Sequence, residues 1–321
     1  MHIALLFGGV SNEHAISCRS AENVYSAITE AGHRPVPIYI SKQGTWHLLQ
    51  GAPKQATQGT PLLLSPSGRL YTDTGRALPI DVVFPCIHGQ YGEDGTIQGL
   101  LEALGIPYIG CGVEASVLGM NKLITKQIIA ASGVPTLPAI PLTNDTPLDS
   151  VPLPAFCKAT RSGSSIGTAL ARTREELETA IRSALAVDGN AFAEPFVEAR
   201  EVEVAVFDDG RRVISLPGEI CKNTPYYDYE SKYLVPSATS VVASLPQGVA
   251  HTLQKYAARI FDALGCRHLA RVDFFLVGDQ IYFNEINTMP GFTRDSLYPA
   301  MMEGSGIPLP ELIDRLARAA R

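Results

Sequence analysis

RVDFFLVGDQIYFNEINTMPGFT, residues 271–293, reads as a buried β-hairpin through which Arg271, Asp273, Glu285 and Asn287 are threaded. Strand side chains alternate faces, so Arg271 and Asp273 share one face of the first strand, and Glu285 and Asn287 share one face of the second. The turn decides whether those two faces coincide. An odd-numbered loop centred near Asp279 brings Asp273 and Glu285 to one face, whereas a two-residue turn parts them. Two carboxylates and an amide oxygen are hard ligands of the kind Mg²⁺ takes alongside water and substrate phosphates. A structural Arg–Asp ion pair with Glu285 at a solvated strand end is the other reading of the same residues.

The rest of the chain bounds the class. Its 321 residues, 45% apolar and 18% charged, suffice for two or three globular domains. A net charge of −6 argues against nucleic acid or an anionic membrane as partner, so any phosphate site must be made by a few local Lys and Arg residues. The six cysteines are scattered through apolar runs without a C-x-x-C pair and read as reduced core thiols. The N-terminus lacks a basic leader, and no apolar run approaches the ~18 residues of a membrane span, so a cytoplasmic location is expected.

Outward from the hairpin, the first hundred residues alternate strand and helix. Ile3 to Phe7 and Pro37 to Ile40 read as strands around a helix from about Ile16 to Ala31, and Asp81 to Ile87 as another strand before a helix over Thr96 to Leu104. Such alternation implies a largely parallel sheet. Residues 44–78 read as surface loops and short strands. A helix from about Ser116 to Gly133 carries Lys122 and Lys126 one turn apart. A compact α+β unit follows, with strands at 155–158, 168–171 and 191–194 and a helix from Thr173, where Glu176 completes a capping-box spacing. Val202 to Phe207 and Arg212 to Leu216 flank a hairpin signal. Residues 223–240 are polar, aromatic and aperiodic, as in an active-site lid. Helices over 249–264 and 309–320 complete the expectation.

Four clusters suit chemistry, each beside a plainer reading. Lys158 opens the small-residue loop ATRSGSSIG, which suits phosphate oxygens or is an ordinary hairpin loop. GGVSNEH, residues 8–14, sets Glu13 at a strand end where α/β ligands usually sit, or is a tight turn before a helix. HGQYGEDG, residues 88–95, allows close backbone approach through its glycines, with His88 meeting a carboxylate or capping the strand. YYDYESKY, residues 226–233, holds Lys232 in a closing lid or in solvent.

In order and wording, these clusters together with GMNK (119–122) and NEINTMPGFT (284–293) resemble the D-alanine–D-alanine ligase family of the ATP-grasp superfamily, nearly end to end. The resemblance implies an α/β, three-domain ATP-grasp architecture: a mostly parallel α/β domain (1–112), a small central α+β domain (113–192) and a C-terminal α+β domain (193–321). It implies ATP-dependent joining of two D-alanine molecules through an acyl phosphate, for peptidoglycan precursors. The small-molecule partners would be D-alanine and ATP, in a homodimer. It also implies two Mg²⁺ ions, or Mn²⁺, on Asp273, Glu285 and Asn287. Lys122, Lys158, Ser165 and Lys232 would contact ATP phosphates, and Glu194, Phe196, Val197 and Glu201 the base and ribose. Arg271 would stabilise the acyl phosphate. Glu13 would hold the first D-alanine's ammonium in a triad with Ser164 and Tyr233, His88 would lie near its carboxylate, and Gly291, Ser296 and Leu297 would take the second carboxylate.

Two departures stand out. The family has Lys-Pro where this chain has Lys158 and Ala159, which should loosen the entry to the serine-rich loop, and the turn between Asp273 and Glu285 is one residue short. The lid dipeptide Lys232–Tyr233 favours D-alanine as acceptor over D-serine or D-lactate. A relative working in specialised metabolism would carry much the same motifs. A non-catalytic nucleotide-binding module would be expected to have lost a metal ligand or Arg271, and this chain has lost neither.

Overall fold

The computed structural model describes residues 1–53, 59–221, 238–241 and 243–321. Three sheets succeed one another along the chain. The first contains β1 (His2–Gly8), β2 (Arg34–Ile40), β3 (Trp46–Leu48), β4 (Thr60–Leu64), β5 (Leu70–Thr72) and β6 (Val82–Cys86), in the order β5-β4-β3-β2-β1-β6. Parallel pairing is confined to β2-β1-β6. The short strands of the 44–78 region extend that core with antiparallel pairing. The helices α1 (His14–Glu30) and α2 (Thr96–Ala103) belong to this unit, and β1, apolar along its length, is buried on both faces as central parallel strands are.

The expected single helix over 116–133 is two, α3 (Val113–Met120) and α4 (Lys122–Ala131). Asn121 interrupts them with non-helical backbone, and its side-chain oxygen accepts from Ile124 N at 3.2 Å as a cap. Lys122 therefore opens a helix. The second sheet, β7-β10-β8-β9, is antiparallel throughout: β7 (Ile140–Leu142), β8 (Ala155–Ala159), β9 (Thr168–Ala171) and β10 (Ala191–Pro195). Its helix, α5 (Arg174–Asp188), starts in the capping box of Thr173 and Glu176. The last strand of this sheet, β10, stays paired with β8 through Pro195. The expectation that Ala159 loosens the serine-rich loop is overturned. Its N–H donates to Gly167 O at 2.9 Å, a bond that proline could not make, and this closes the loop's neck.

The third sheet comprises β11 (Arg200–Asp208), β12 (Val213–Ile214), β13 (Gly218–Cys221), β14 (Ala238–Val241), β15 (His268–Val277) and β16 (Gln280–Asn287), ordered β14-β13-β11-β15-β16 with β12 on β11. One face carries Val202, Val204, Val206, Val272, Phe274, Phe283 and Ile286 into a core shared with α6 (Val249–Ala263). The β15–β16 turn is the two-residue Gly278–Asp279, closed by Val277 opposite Gln280, with Gly278 at φ 59° as the first central position of such a turn requires. A perfect ladder from that turn would send Glu285 into the apolar core. It does not, because the register shifts between Asp273 and Phe274: Phe274 pairs with Phe283, Asp273 with Glu285, and Asn284 is the extra residue of a β-bulge. Arg271, Asp273, Glu285 and Asn287 consequently share the face opposite the core.

The last helices, α7 (Leu297–Gly304) and α8 (Leu309–Ala319), return to the first sheet. Phe292 packs edge-on to Phe84 at 5.3 Å, and Tyr298, fully buried, donates to Val206 O at 3.1 Å. No helix among the described residues is long and apolar enough to cross a membrane.

The bulge yields a test. Deleting Asn284 removes the extra residue and should leave a regular ladder with Glu285 still opposite Asp273 and Asn287 opposite Arg271, lowering the thermal midpoint by about 2 °C at most. Deleting Tyr282 should instead turn Phe283 into the cleft and Asn284 into the core, and lower it by about 5 °C or more. Calorimetry showing equal shifts for the two deletions would refute the register argument.

Candidate functional site

A cleft of about 830 Å³ opens between the second and third sheets, and Lys122, Lys158, Ser165, Glu194, Phe196, Val197, Glu201 and Glu285 all line it. Phe156 and Phe275 supply apolar walls. At its floor the Glu194 carboxylate, with a side chain only 2% exposed, bridges Lys126 Nζ at 2.9 Å and Lys158 Nζ. Burial alone would raise the Glu194 pKa, but the two ammonium groups hold it below the ordinary carboxylate value. Burial likewise pushes Lys126 down, against the pull of Glu194. Glu194, expected against base and ribose, lines the cleft and pairs with the two lysines. Lys158 also donates to Asn284 Oδ1 at 3.2 Å and stands 5.4 Å from the centre of the Phe275 ring.

The hairpin charges form the cleft's far end. Arg271 donates twice to Asp273, at 2.8 and 2.7 Å, and also lies 3.0 Å from Glu203 Oε2. Asn287 Nδ2 donates to Asp273 Oδ2 at 3.1 Å, and Lys122 Nζ lies 3.1 Å from Glu285 Oε2. The donor chemistry suits a hard cation, since Asp273 and Glu285 sit directly opposite each other with the Asn287 amide one rung on. Among the described residues, no group of three His, Cys, Asp or Glu side chains converges as a metal cluster. The carboxylates are instead matched by the protein's own Arg271 and Lys122.

A second cleft, of about 1230 Å³, has Glu13, Gly89, Asn121, Ser162 and Gly163 in its walls, and Ser162 lines both clefts. Ser164 Oγ donates to Glu13 Oε1. A Cβ on Gly89 would strike the Glu13 carboxylate and one on Gly163 would approach it at 3.0 Å; Gly89, held at φ 72°, is the position that depends on glycine. The loop that presents Ser164 is held at φ 52° there and 59° at Ser165, backbone that non-glycine residues adopt at some cost. Lys122 Nζ donates to Ser162 O at 2.5 Å, which ties this loop to the Glu285 end.

His88 is not in either cleft wall. It is buried, with Nε2 3.0 Å from Ser20 Oγ and Nδ1 3.4 Å from Glu93 Oε1, so its ring faces the protein. Ser20 Oγ also accepts from Phe292 N at 3.3 Å, and Asn23 donates to Phe292 O at 3.0 Å. Those bonds fix the loop in which Gly291 lies against Ser296. Ser296 Oγ in turn accepts from Thr293 N at 3.0 Å, and Leu297 is buried at the start of α7. Lys232, Tyr233 and most of the expected lid lie outside the described residues.

Sequence reasoning missed Lys126, Glu203, Asn284 and Ser20 as members of the site. Glu203 had a signal, a charge in the otherwise apolar run VEVAVF, and Lys126 a weaker one, a second lysine one turn after Lys122 in KLITKQIIAA. Asn284 and Ser20 had none, because a bulge and a helix-face serine look like ordinary polar positions.

Residues 2–111 match the family model described as D-ala D-ala ligase N-terminus, and residues 143–318 the one described as D-ala D-ala ligase C-terminus. The chain is 39% identical over 350 residues to a D-alanine–D-alanine ligase of Chlorobium limicola, covering 99% of this chain and 96% of the relative. It is similar to the crystal structure of D-alanyl-alanine synthetase A from Vibrio cholerae, with a TM-score of 0.89, 35% identity and coverage of 100% and 98%. It is also similar to the VanG D-Ala:D-Ser ligase from Enterococcus faecalis, with a TM-score of 0.89, 30% identity and coverage of 100% and 99%.

The buried Lys126–Glu194–Lys158 triad gives an ordered pair of outcomes. Glu194→Gln leaves Lys126 without its counter-charge and should cost about 3–5 kcal/mol of stability. Lys126→Met leaves Glu194 paired with Lys158 and should cost markedly less. Urea unfolding that ranks Lys126→Met as the more damaging would contradict this arrangement.

Proposed function

The chain belongs to the D-alanine–D-alanine ligase family, and from that premise we propose how its own residues join two D-alanine molecules at the expense of ATP to give D-alanyl-D-alanine, ADP and phosphate for peptidoglycan synthesis. The observation that carries this reading is that the cleft holding Lys122 and Lys158 and the Glu13 cleft meet at one loop, with Ser162 in both walls. Two substrates in separate clefts then present reacting ends to each other, which is most of what phosphoryl transfer asks of a protein.

ATP lies in the first cleft, with its base against Phe196 and Val197, its ribose at Glu201 and its phosphates toward Lys122, Lys158 and Ser165. Glu194 acts through Lys158, holding that ammonium in place. Glu13, oriented by Ser164 and enclosed by Gly89 and Gly163, receives the ammonium of the first D-alanine. The carboxylate of that molecule attacks the γ-phosphorus, the bond to ADP breaks, and an acyl phosphate forms. The amine of the second D-alanine, its carboxylate held by Gly291 backbone, Ser296 and Leu297, attacks the acyl carbon. The carbon–oxygen bond then breaks, phosphate leaves and the amine gives up its proton. Arg271 stabilises charge on the transferred group and on the tetrahedral carbon. His88 supports the site from behind through Ser20. Lys232 and Tyr233 keep the lid roles that family resemblance gives them.

Asp273, Glu285 and Asn287 would hold Mg²⁺, or Mn²⁺ in its place, in two sites. When bound, these ions neutralise the polyphosphate. Family resemblance also supports a cytoplasmic homodimer. For the acceptor, D-alanine is the first choice, because the Lys232–Tyr233 lid sequence is the form that family resemblance associates with D-alanine.

Incubation with ATP, Mg²⁺ and D-alanine, with D-serine or D-lactate in competition, should release phosphate and give a product of D-alanyl-D-alanine mass. No phosphate with any D-amino acid defeats the ligase reading, whereas a product favouring D-serine defeats only the acceptor choice. Glu285→Gln should lower kcat about a hundredfold or more while the thermal midpoint stays close to that of the parent.

A further inference from the structure

Glu203 on β11 stands opposite Asp273 on β15, which stands opposite Glu285 on β16, so three carboxylates form one row across adjacent strands. None of the roles above uses Glu203. Its side chain is 5% exposed, and a carboxylate buried that deeply needs a cation. Arg271 is that cation. Its Nε–H donates to Asp273 Oδ1 at 2.8 Å and a terminal nitrogen donates to Asp273 Oδ2 at 2.7 Å, while Nε also lies 3.0 Å from Glu203 Oε2 as an ion pair, so one guanidinium stands between two acids.

The same Asp273 oxygens that hold the guanidinium are those expected to meet a divalent cation. If Asp273 were the sole carboxylate on Arg271, giving it to a cation would strand a buried guanidinium, and the two positive charges would compete for one acid. With a second acid one strand away, Arg271 keeps a counter-charge whichever cation Asp273 holds. We propose that Glu203 is a positioning residue that anchors Arg271 independently of Asp273, so that Asp273 exchanges the guanidinium for a divalent cation while Arg271 stays in the site. This inference rests on the reading of Asp273 as a metal ligand.

The test is calorimetric titration of ADP into the full chain, with and without Mg²⁺, reading how much Mg²⁺ tightens ADP binding. Glu203→Gln should leave metal-free ADP affinity within about twofold of the parent and cut the gain from Mg²⁺ by about tenfold, or about 1.4 kcal/mol. Glu203→Asp, which keeps the charge, should restore most of that gain. An unchanged gain in Glu203→Gln, or ADP binding weakened equally with and without Mg²⁺, overturns the proposal and leaves Glu203 a structural acid. Asp273→Asn serves as the reference. If it abolishes the gain while Glu203→Gln does not, the anchoring role alone fails; if Asp273→Asn keeps the gain, the ligand reading falls and this inference with it.

Discussion

A strand's two-residue period leaves no half-measures: one residue more or fewer between the turn and Glu285 sends that carboxylate either to the cleft or into the apolar layer under α6. The bulge at Asn284 makes the difference. It also puts two successive residues, Asn284 and Glu285, into the same cleft wall, which a regular strand cannot do. Lys158 bonds the first and Lys122 the second, so two lysines arriving from different elements reach separate oxygens. Much of the charge arrangement at the cleft follows from that irregularity.

The same economy of charge recurs throughout the site. Four acids of the site are each set against a cation: Glu194 of β10 against Lys126 of α4 and Lys158 of β8, Glu203 of β11 and Asp273 of β15 against Arg271 of β15, and Glu285 of β16 against Lys122 of α4. In a partly dry cleft such pairs are strong and cost little reorganisation when a charged ligand arrives, which is the condition for electrostatic stabilisation of a transferring group. They also lock the second and third sheets and α4 together. The residues that serve the chemistry are therefore among those that hold the cleft's walls at their spacing.

What could be read from the chain depended on how local its cause was. Apolar runs and glycine punctuation located most helices and the longer strands of each sheet, though not β7, β13 or β14, and Thr173 with Glu176 marked the start of α5 correctly. The break at Asn121 was missed because GMNKLITKQ keeps helical periodicity across it, and only the cap geometry shows where one helix ends. The two-residue turn appeared to separate Asp273 from Glu285, since a bulge leaves no trace in the alternation until partners are known. Glu194 was legible as a cleft residue but not as the bridge between two lysines, because Lys126 reaches it from an element more than sixty positions earlier in the chain.

The hydrophobic layer beneath β1 and β6 is completed by Leu312, Ile313 and Leu316 of α8, and His33 meets Asp314 at 2.9 Å. Beginning and end of the chain thus share one core. On the ribosome, the first hundred residues emerge well before the segment that covers them. The N-terminal unit must wait, partly unclad, until α8 is released, whereas the sheets that wall the nucleotide cleft have their strands in hand sooner. Assembly order would then invert sequence order, with the amino-terminal unit closing after the other two and the stage most exposed to aggregation lying just before α8 emerges.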